Sequence, residues 1–171
     1  MPNNNTLMLS VEFLRDNTVI NSDVATELLE PFIISSQNVH IEAILGTDLF
    51  NDIITNIQGD TISGNNKILL DDYIQPCLKE WAVYESLPFI NYKLTNKSVS
   101  TQSSENSESS ELNEIHYLRG SIRDLAEYMS QRVTNYLKSN EDLFPLYCNL
   151  TDSCDTIRPN SSSYFNGIYL G

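Results

Sequence analysis

Residues 112–137 read LNEIHYLRGSIRDLAEYMSQRVTNYL, and this stretch decides the fold. Its apolar residues fall at Leu112, Ile115, Leu118, Ile122, Leu125, Met129, Val133 and Tyr136/Leu137, in steps of three and four. That spacing is the period of one helix face. Asn113, Glu114, Arg119, Asp124, Glu127, Gln131, Arg132 and Lys138 supply the wet side. Glu111 and Glu114 lead and Arg132 and Lys138 close, which suits the helix dipole. Asn140 offers a stop, with Pro145 beyond it. A helix about 40 Å long, at ~1.5 Å per residue, draws most of its stability from burying its apolar stripe. Leu112, Ile115, Leu118, Ile122, Leu125, Met129 and Val133 are therefore assigned to the core. On that assignment Leu125→Asp, which puts an unpaired charge among apolar groups, unfolds the chain.

Working outward, the rest of the chain supplies the cover. Residues 1–21 alternate weakly (Leu7, Leu9, Val11, Phe13) and read as an extended N-terminal arm. Asn21, Ser22 and Asp23 offer an N-cap for a helix through Val24, Leu28/Leu29 and Phe32/Ile33, with Pro31 a kink or a late start. Val39, Ile41, Ile44 and Leu45 continue its apolar face to Gly46, a C-cap. Leu49, Phe50, Ile53, Ile54 and Ile57 make a second amphipathic helix. A third is expected from about Lys67 to Leu94, carrying Trp81 mid-stripe, with Pro76 and Pro88 bending or dividing it. Residues 95–110, TNKSVSTQSSENSESS, are polar and read as a short projecting loop or β-hairpin. The expected fold is all-α: a helical bundle of about four main helices over residues 22–148, then an extended C-terminal tail over 149–171. Tyr164, Phe165, Ile168, Tyr169 and Leu170 form a sticky cluster in that tail, which either docks on a partner or packs on its own subunit.

Composition narrows the function. The 171 residues are enough for one domain with a real core. Net charge is −13, from 23 acids against 10 bases, and the first 60 residues carry nine acids and only Arg15 as a base. A field of this sign repels phosphates and argues against a sequence-reading DNA binder. It suits a wall past which DNA slides, and it also simply keeps a protein in solution. Cys77, Cys148 and Cys154 are odd in number with no CxxC pair, so a disulfide framework is not expected. The opening Met-Pro-Asn-Asn-Asn lacks the basic and apolar regions of a signal peptide, and no run reaches the ~18 apolar residues of a membrane span. No membrane partner is expected.

Catalytic chemistry finds little footing. His40 and His116 are the two histidines, and neither has a Cys, Asp or His at metal-ligand spacing. Asp71 and Asp72 are consecutive, so on a helix they diverge. Glu105, Glu108, Glu111 and Glu114 recur every third residue, a feasible cation site on a helix, but their first half lies in Ser/Asn-rich sequence that reads as a solvated charge run. No P-loop, GxGxxG, GxSxG or HExxH occurs. The sequence therefore leads to no enzyme, no catalytic residues, no metal ligands and no cofactor. A small acidic helical regulator that sequesters a basic protein partner is the alternative to a structural role.

One resemblance sharpens the structural role. ESLPFINYKLTNKSVSTQSSENSESSELNEIHYLRG at residues 85–120 joins a Leu-Pro helix end, a Thr-Asn-Lys loop and a polar lead into a long helix. With ILGTDLFNDI (44–53), LLDDYIQPCLKEWA (69–82) and RVTNYLKSNEDLFPLY (132–147), it resembles the head-to-tail connector (adaptor or ring) proteins of tailed phages, as in crAss-like and other Bacteroides phages. The resemblance spans residues 10–148 and rests on packing and turn motifs. It implies a structural virion protein of the head–tail connector, assembled in the host cytoplasm. Such proteins form homo-oligomeric rings, commonly dodecamers, beneath the portal protein. The ring extends the channel through which genomic DNA passes without sequence-specific binding, and it docks tail or further ring proteins. The resemblance also implies a C-terminal segment that reaches the portal or a neighbouring subunit, a role that here falls to Tyr164, Phe165, Ile168, Tyr169 and Leu170.

Overall fold

Each helix starts and stops where local chemistry dictates, and the stops set how the rods pack. The computed structural model describes residues 6–18, 20, 26–94, 99–101, 112–147 and 157–160; the side chains of 91–94, 99–101 and 112–114 are outside the description. The chain folds as an all-α helical bundle.

The first described segment corrects the expectation of an extended arm. Residues Val11–Asp16 form a short helix, α1. The Ser10 hydroxyl accepts the Phe13 N–H at 3.1 Å, capping one of the free donors of the first turn. Val11 and Leu14, one turn apart, then share an inward face, and with Met8 and Leu9 they are buried. Weak alternation at Leu7, Leu9 and Val11 concealed a capped helix start.

Glutamine side chains hold the backbone ahead of α1. Gln37, fully buried, accepts the Met8 N–H (3.2 Å) and donates to the Thr6 carbonyl (2.8 Å). Gln75 donates to the Met8 carbonyl at 3.0 Å, and Gln58 to the Thr6 hydroxyl at 2.8 Å. These side-chain amides stand in for a neighbouring strand, so the buried backbone is not left unpaired.

The first long rod is continuous: α2 (Thr26–Ser36), a π-turn (Gln37–Ile41) and α3 (Glu42–Leu45). Pro31 lies inside α2, and the helix runs on through it. The extra residue of a π-turn rotates side-chain register, and it occurs where Gln37 turns inward and His40 turns toward Trp81. Val39, expected on the apolar face, is 59% exposed for the same reason.

Gly46 ends this rod, as its sequence position suggests. Its φ of 76° and ψ of 155° belong to a region that only glycine enters readily. Helix α4 (Thr47–Gln58) then leaves, burying Leu49, Phe50, Ile53 and Ile54. The next rod is α5 (Gly64–Leu69), a π-turn (Leu70–Ile74) and α6 (Gln75–Asn91). The π-turn sits just before Pro76. Proline lacks an N–H and its ring crowds the carbonyl four residues back, here Asp72, and a wider turn relieves both. Thus Pro76 widens the helix rather than dividing it, and Pro88 lies within α6.

Strands β1 (Tyr92–Leu94) and β2 (Val99–Thr101) pair antiparallel with Leu94 opposite Val99, so the expected hairpin is formed. Residues 95–98 and 102–111 lie outside the described residues. Helix α7 (Leu112–Ser139) follows and packs along α6, which is also covered by α2. A short 3-10 turn (Glu141–Leu143) brings the buried Phe144 back over the bundle end.

A strap closes the fold. The Thr47 N–H donates to the Ile157 carbonyl (3.0 Å), and the Asn160 N–H to the Ala43 carbonyl (2.8 Å). The Ile157 N–H donates to the Thr47 hydroxyl oxygen at 2.8 Å. A Cβ on Gly46 would lie 2.7 Å from Pro159 Cδ, so the missing side chain is also what lets the strap seat. Gly46→Ala is expected to cost about 1–3 kcal/mol from backbone strain alone, with the strap contact added, read as a fall in thermal midpoint by circular dichroism.

Candidate functional site

The long helix carries two different faces, and their offset creates the site. At 100° per residue, Ile115, Ala126, Val133 and Leu137 fall within roughly 20° of one line down α7. All four are buried, as are Ser130 and Thr134 beside them. The large apolar residues Leu118, Leu125, Met129 and Tyr136 sit on one flank, roughly 60–100° away. Small residues occupy the buried line where α6 comes closest, because Trp81 must fit there.

Trp81 organises that contact. Its indole N–H donates to Ser130 Oγ at 2.9 Å, and the Ser130 hydroxyl donates on to the Ala126 carbonyl at 2.9 Å. The Cys77 thiol is 3.4 Å from the same oxygen. Complete burial pushes the Cys77 thiol up to about 12, partly offset by the hydrogen bonds of Ser130 and Trp81. It is therefore a packed, protonated group and not a nucleophile at neutral pH. His40 stacks on the other face of the indole, with centroids 3.7 Å apart and planes at 6°.

Beyond Trp81 the helices share a polar seam. His40 Nε2 lies 3.1 Å from Glu85 Oε1, and Arg119 Nη2 lies 3.7 Å from Glu85 Oε2. The Arg119 guanidinium sits 4.1 Å over the Tyr84 ring and donates through Nε to the Tyr84 carbonyl at 3.3 Å. This seam pins the first half of α7 to α6 and to the first π-turn. The Arg119–Glu85 ion pair is about one-third exposed, so it contributes ~1 kcal/mol or less. Sequence alone could not join His40 to Glu85, 45 residues away.

The flank of α7 is covered at one end only. Toward the C-terminus, Tyr136 stacks on Tyr73 at 3.9 Å and meets Phe144 edge-on at 5.9 Å. Toward the N-terminus, Leu118 is 51% and Leu125 42% exposed. The assignment of these two residues to the core is therefore corrected. The physical reason is that α6 packs Trp81 against Ala126 and Ser130, which turns Leu118 and Leu125 to the side, and among the described residues no ring stacks on that flank as Tyr73 does on Tyr136. Ile115 and Val133 are buried, Ile122 and Met129 pack partly buried against the core, and the Leu112 side chain lies outside the described residues.

The open flank borders a groove of about 490 Å³. Ile122 and Leu125 of α7 line one side, Val83 and Glu80 of α6 the floor, and Asp16, Asn17 and Thr18 at the exit of α1 the far side. Lys79 fixes that exit, donating to the Asn17 carbonyl at 3.2 Å while pairing with Glu80 at 3.3 Å. The groove thus combines an apolar wall with the carboxylates of Asp16 and Glu80. In the sequence the apolar stripe of α7 read as core and signalled no groove. The groove's other half, from α1 and α6, had no signal either.

The remaining candidates are scattered. His116 is exposed on α7, and Asp71 pairs with Lys67 one turn back at 2.8 Å. Glu105, Glu108 and Glu111 lie outside the described residues, as do Tyr164, Phe165, Ile168, Tyr169 and Leu170. Among the described residues no three His, Cys, Asp or Glu side chains gather as metal ligands, and no helix is long and apolar enough to cross a membrane.

The profile of DUF6712, a family of unknown function, matches residues 41–157. No curated protein and no solved structure matches the chain.

Two measurements test the site. Leu125→Asp is expected to keep full helicity and to lose no more than about 1 kcal/mol, whereas Val133→Asp, on the buried line, is expected to lose more than about 4 kcal/mol and fail to fold; urea titration followed by circular dichroism separates them. For Cys77, an ordinary value of 9.0 raised to about 12 means the folded chain keeps a proton that the unfolded chain releases between those values. The Cys77 contribution is therefore full below about pH 9 and is lost as pH rises toward about 12. Native Cys77 is expected to resist alkylation at pH 8 and to react fully in denaturant, read on its own peptide by mass spectrometry.

Proposed function

We propose that this chain, which belongs to the DUF6712 family, is a structural ring subunit of a tailed-phage virion. It is the head-to-tail connector that its sequence resemblance implies. The ring sits beneath the portal protein, prolongs the DNA channel and offers a docking surface to tail components. The observation that carries this reading is the half-exposed apolar flank of α7, where Leu118 and Leu125 lie about two turns apart on one helix. Leu125 lines a groove, Leu118 is exposed on the same flank, and such a face suits cover by another molecule.

Three further features support it. Net charge of −13 gives a wall that repels the phosphate backbone, so a genome moves past without sticking. The helices are tied by buried hydrogen bonds such as Trp81 to Ser130, which gives each subunit a fixed shape to repeat. The strap over Gly46 fixes where the C-terminal segment departs. In this mechanism no bond is made or broken. Segments at the chain end gain contacts on assembly, and burial of their aromatic groups offsets the entropy of ordering them.

The test uses the purified chain and the portal ring of the virus that encodes it. Mixed together, they are expected to form a complex in which electron microscopy shows one ring of this chain stacked coaxially on the portal. The protein is also expected in purified particles, in ring stoichiometry by quantitative mass spectrometry. A chain absent from particles and bound instead to a basic soluble partner would replace this reading with the regulator.

A further inference from the structure

We propose that the outward stripe of α7 in one copy packs antiparallel against the solvent side of the Thr26–Leu45 rod in the next copy, as a head-to-tail junction between subunits. The inference rests on the ring reading and adds to it the two faces that meet.

Both faces are apolar and exposed. On α7, Leu118, Leu125 and Arg132 recur every seventh residue and form one stripe, the spacing that a second helix covers. Tyr117 and Tyr128 flank it, and all five side chains are exposed. On the rod, Leu28 and Val39 are exposed. Phe89 of α6, also exposed, widens that patch by packing on Phe32 with ring centroids 5.1 Å apart. At ~1.5 Å per residue, Leu118 to Arg132 covers about 21 Å and Glu27 to Val39 about 18 Å, so the two stripes match in length.

Charge sets the pairing. Residues 16–66 carry eight acids and neither Lys nor Arg. Glu27 and Glu30 on α2 are exposed and meet no cation among the described residues. Helix α7 is the opposite case: Arg119, Arg123, Arg132 and Lys138 outnumber Glu114, Asp124 and Glu127. Arg119 is taken up by Glu85, and Arg123 by Asp124 and Glu127. Arg132 lies 3.6 Å from the Met129 sulfur and 5.7 Å over the Tyr73 ring, and it meets no carboxylate among the described residues. Each face thus leaves unmet the charge that the other supplies. Laid antiparallel, Arg132 comes to Glu27 and Glu30, and Leu118 comes to Val39.

That complementarity selects a second copy as the occupant. Two α7 stripes meeting each other would leave Glu27 and Glu30 unmet, and two rods meeting would set acid on acid. Different faces meeting in one direction make a heterologous contact, and it closes into a ring when the rotation per copy allows.

Charge exchange provides the test, read by sedimentation velocity. The unchanged chain is expected to self-associate, and to do so less as salt rises. Arg132→Glu alone, and Glu27→Lys with Glu30→Lys alone, are each expected to weaken association by about tenfold or more. Mixed in equal amounts, these two chains are expected to restore it, because every junction of an alternating row again sets acid on base. One chain carrying all three changes is expected to restore it by itself. If Arg132→Glu folds poorly by circular dichroism, Leu118→Glu against Val39→Lys repeats the exchange at the other end of the stripe. An unchanged chain that stays monomeric overturns the proposal. So does a mixture no heavier than its components, and so does a Glu27→Lys, Glu30→Lys chain that associates like the unchanged one. Portal binding is read in parallel. Association restored by exchange, without portal binding, keeps this junction and removes the connector reading. Portal-bound rings formed equally well by Arg132→Glu remove this junction and keep the connector reading.

Discussion

The packing of Trp81 against the small-residue line of α7 is the constraint on which the other arrangements depend. An indole brought this close to a helix needs Ala126 and Ser130 opposite it, and the Ser130 hydroxyl satisfies the indole N–H that burial would otherwise strand. Because that contact fixes the rotation of α7 about its axis, it also decides which side chains face outward. His40 on the far side of the indole ties in the first rod, so three helical segments register on one aromatic ring. The outward turn of Leu118 and Leu125 is a consequence of that registration rather than a local failure of packing.

Much of the architecture was legible in the sequence because it depends on local chemistry. Period and length identified the long helix, Gly46 marked a stop, and the polar run 95–110 marked a loop or hairpin, whose first strand begins earlier, at Tyr92, where the third helix was expected to continue to Leu94. What sequence misjudged depended on partners. Counting large apolar residues put Leu118 and Leu125 in the core along with Ile115 and Val133, whereas the buried face is centred on Ile115, Ala126, Val133 and Leu137, with the polar Ser130 and Thr134 beside it. Similarly, Ser10 was the sign of a short helix start, but its weight came from a bundle into which Met8 and Leu9 could sink. The prolines do not divide their rods: a π-turn before Pro76 absorbs the missing donor and the helix continues.

The candidate site was hardly legible. The sequence assigned the apolar stripe of α7 to the core and so pointed to no groove, and the groove's other residues come from two distant places in the chain, Asp16–Thr18 and Glu80 with Val83. No spacing rule links them. The His40–Glu85–Arg119 seam is likewise a product of the fold. Its three polar side chains are separated along the chain and meet only because α7 returns along α6. Partial exposure keeps such a seam energetically modest, so its main effect is to hold α7 at one rotational setting.

The continuous rod from Thr26 to Leu45 has a consequence for anyone cutting this protein into pieces. The family match begins at Ile41, the last residue of the first π-turn. A fragment begun there would lose Leu29 and Ile33 from the interior, leave α6 bare along one side, and discard the Gln37 amide that fastens the opening residues. The smallest autonomous piece must therefore reach back through Thr6, well upstream of the recognisable segment. Homology limits and folding limits do not coincide in this chain, and a fragment cut at the former leaves interior apolar surface bare.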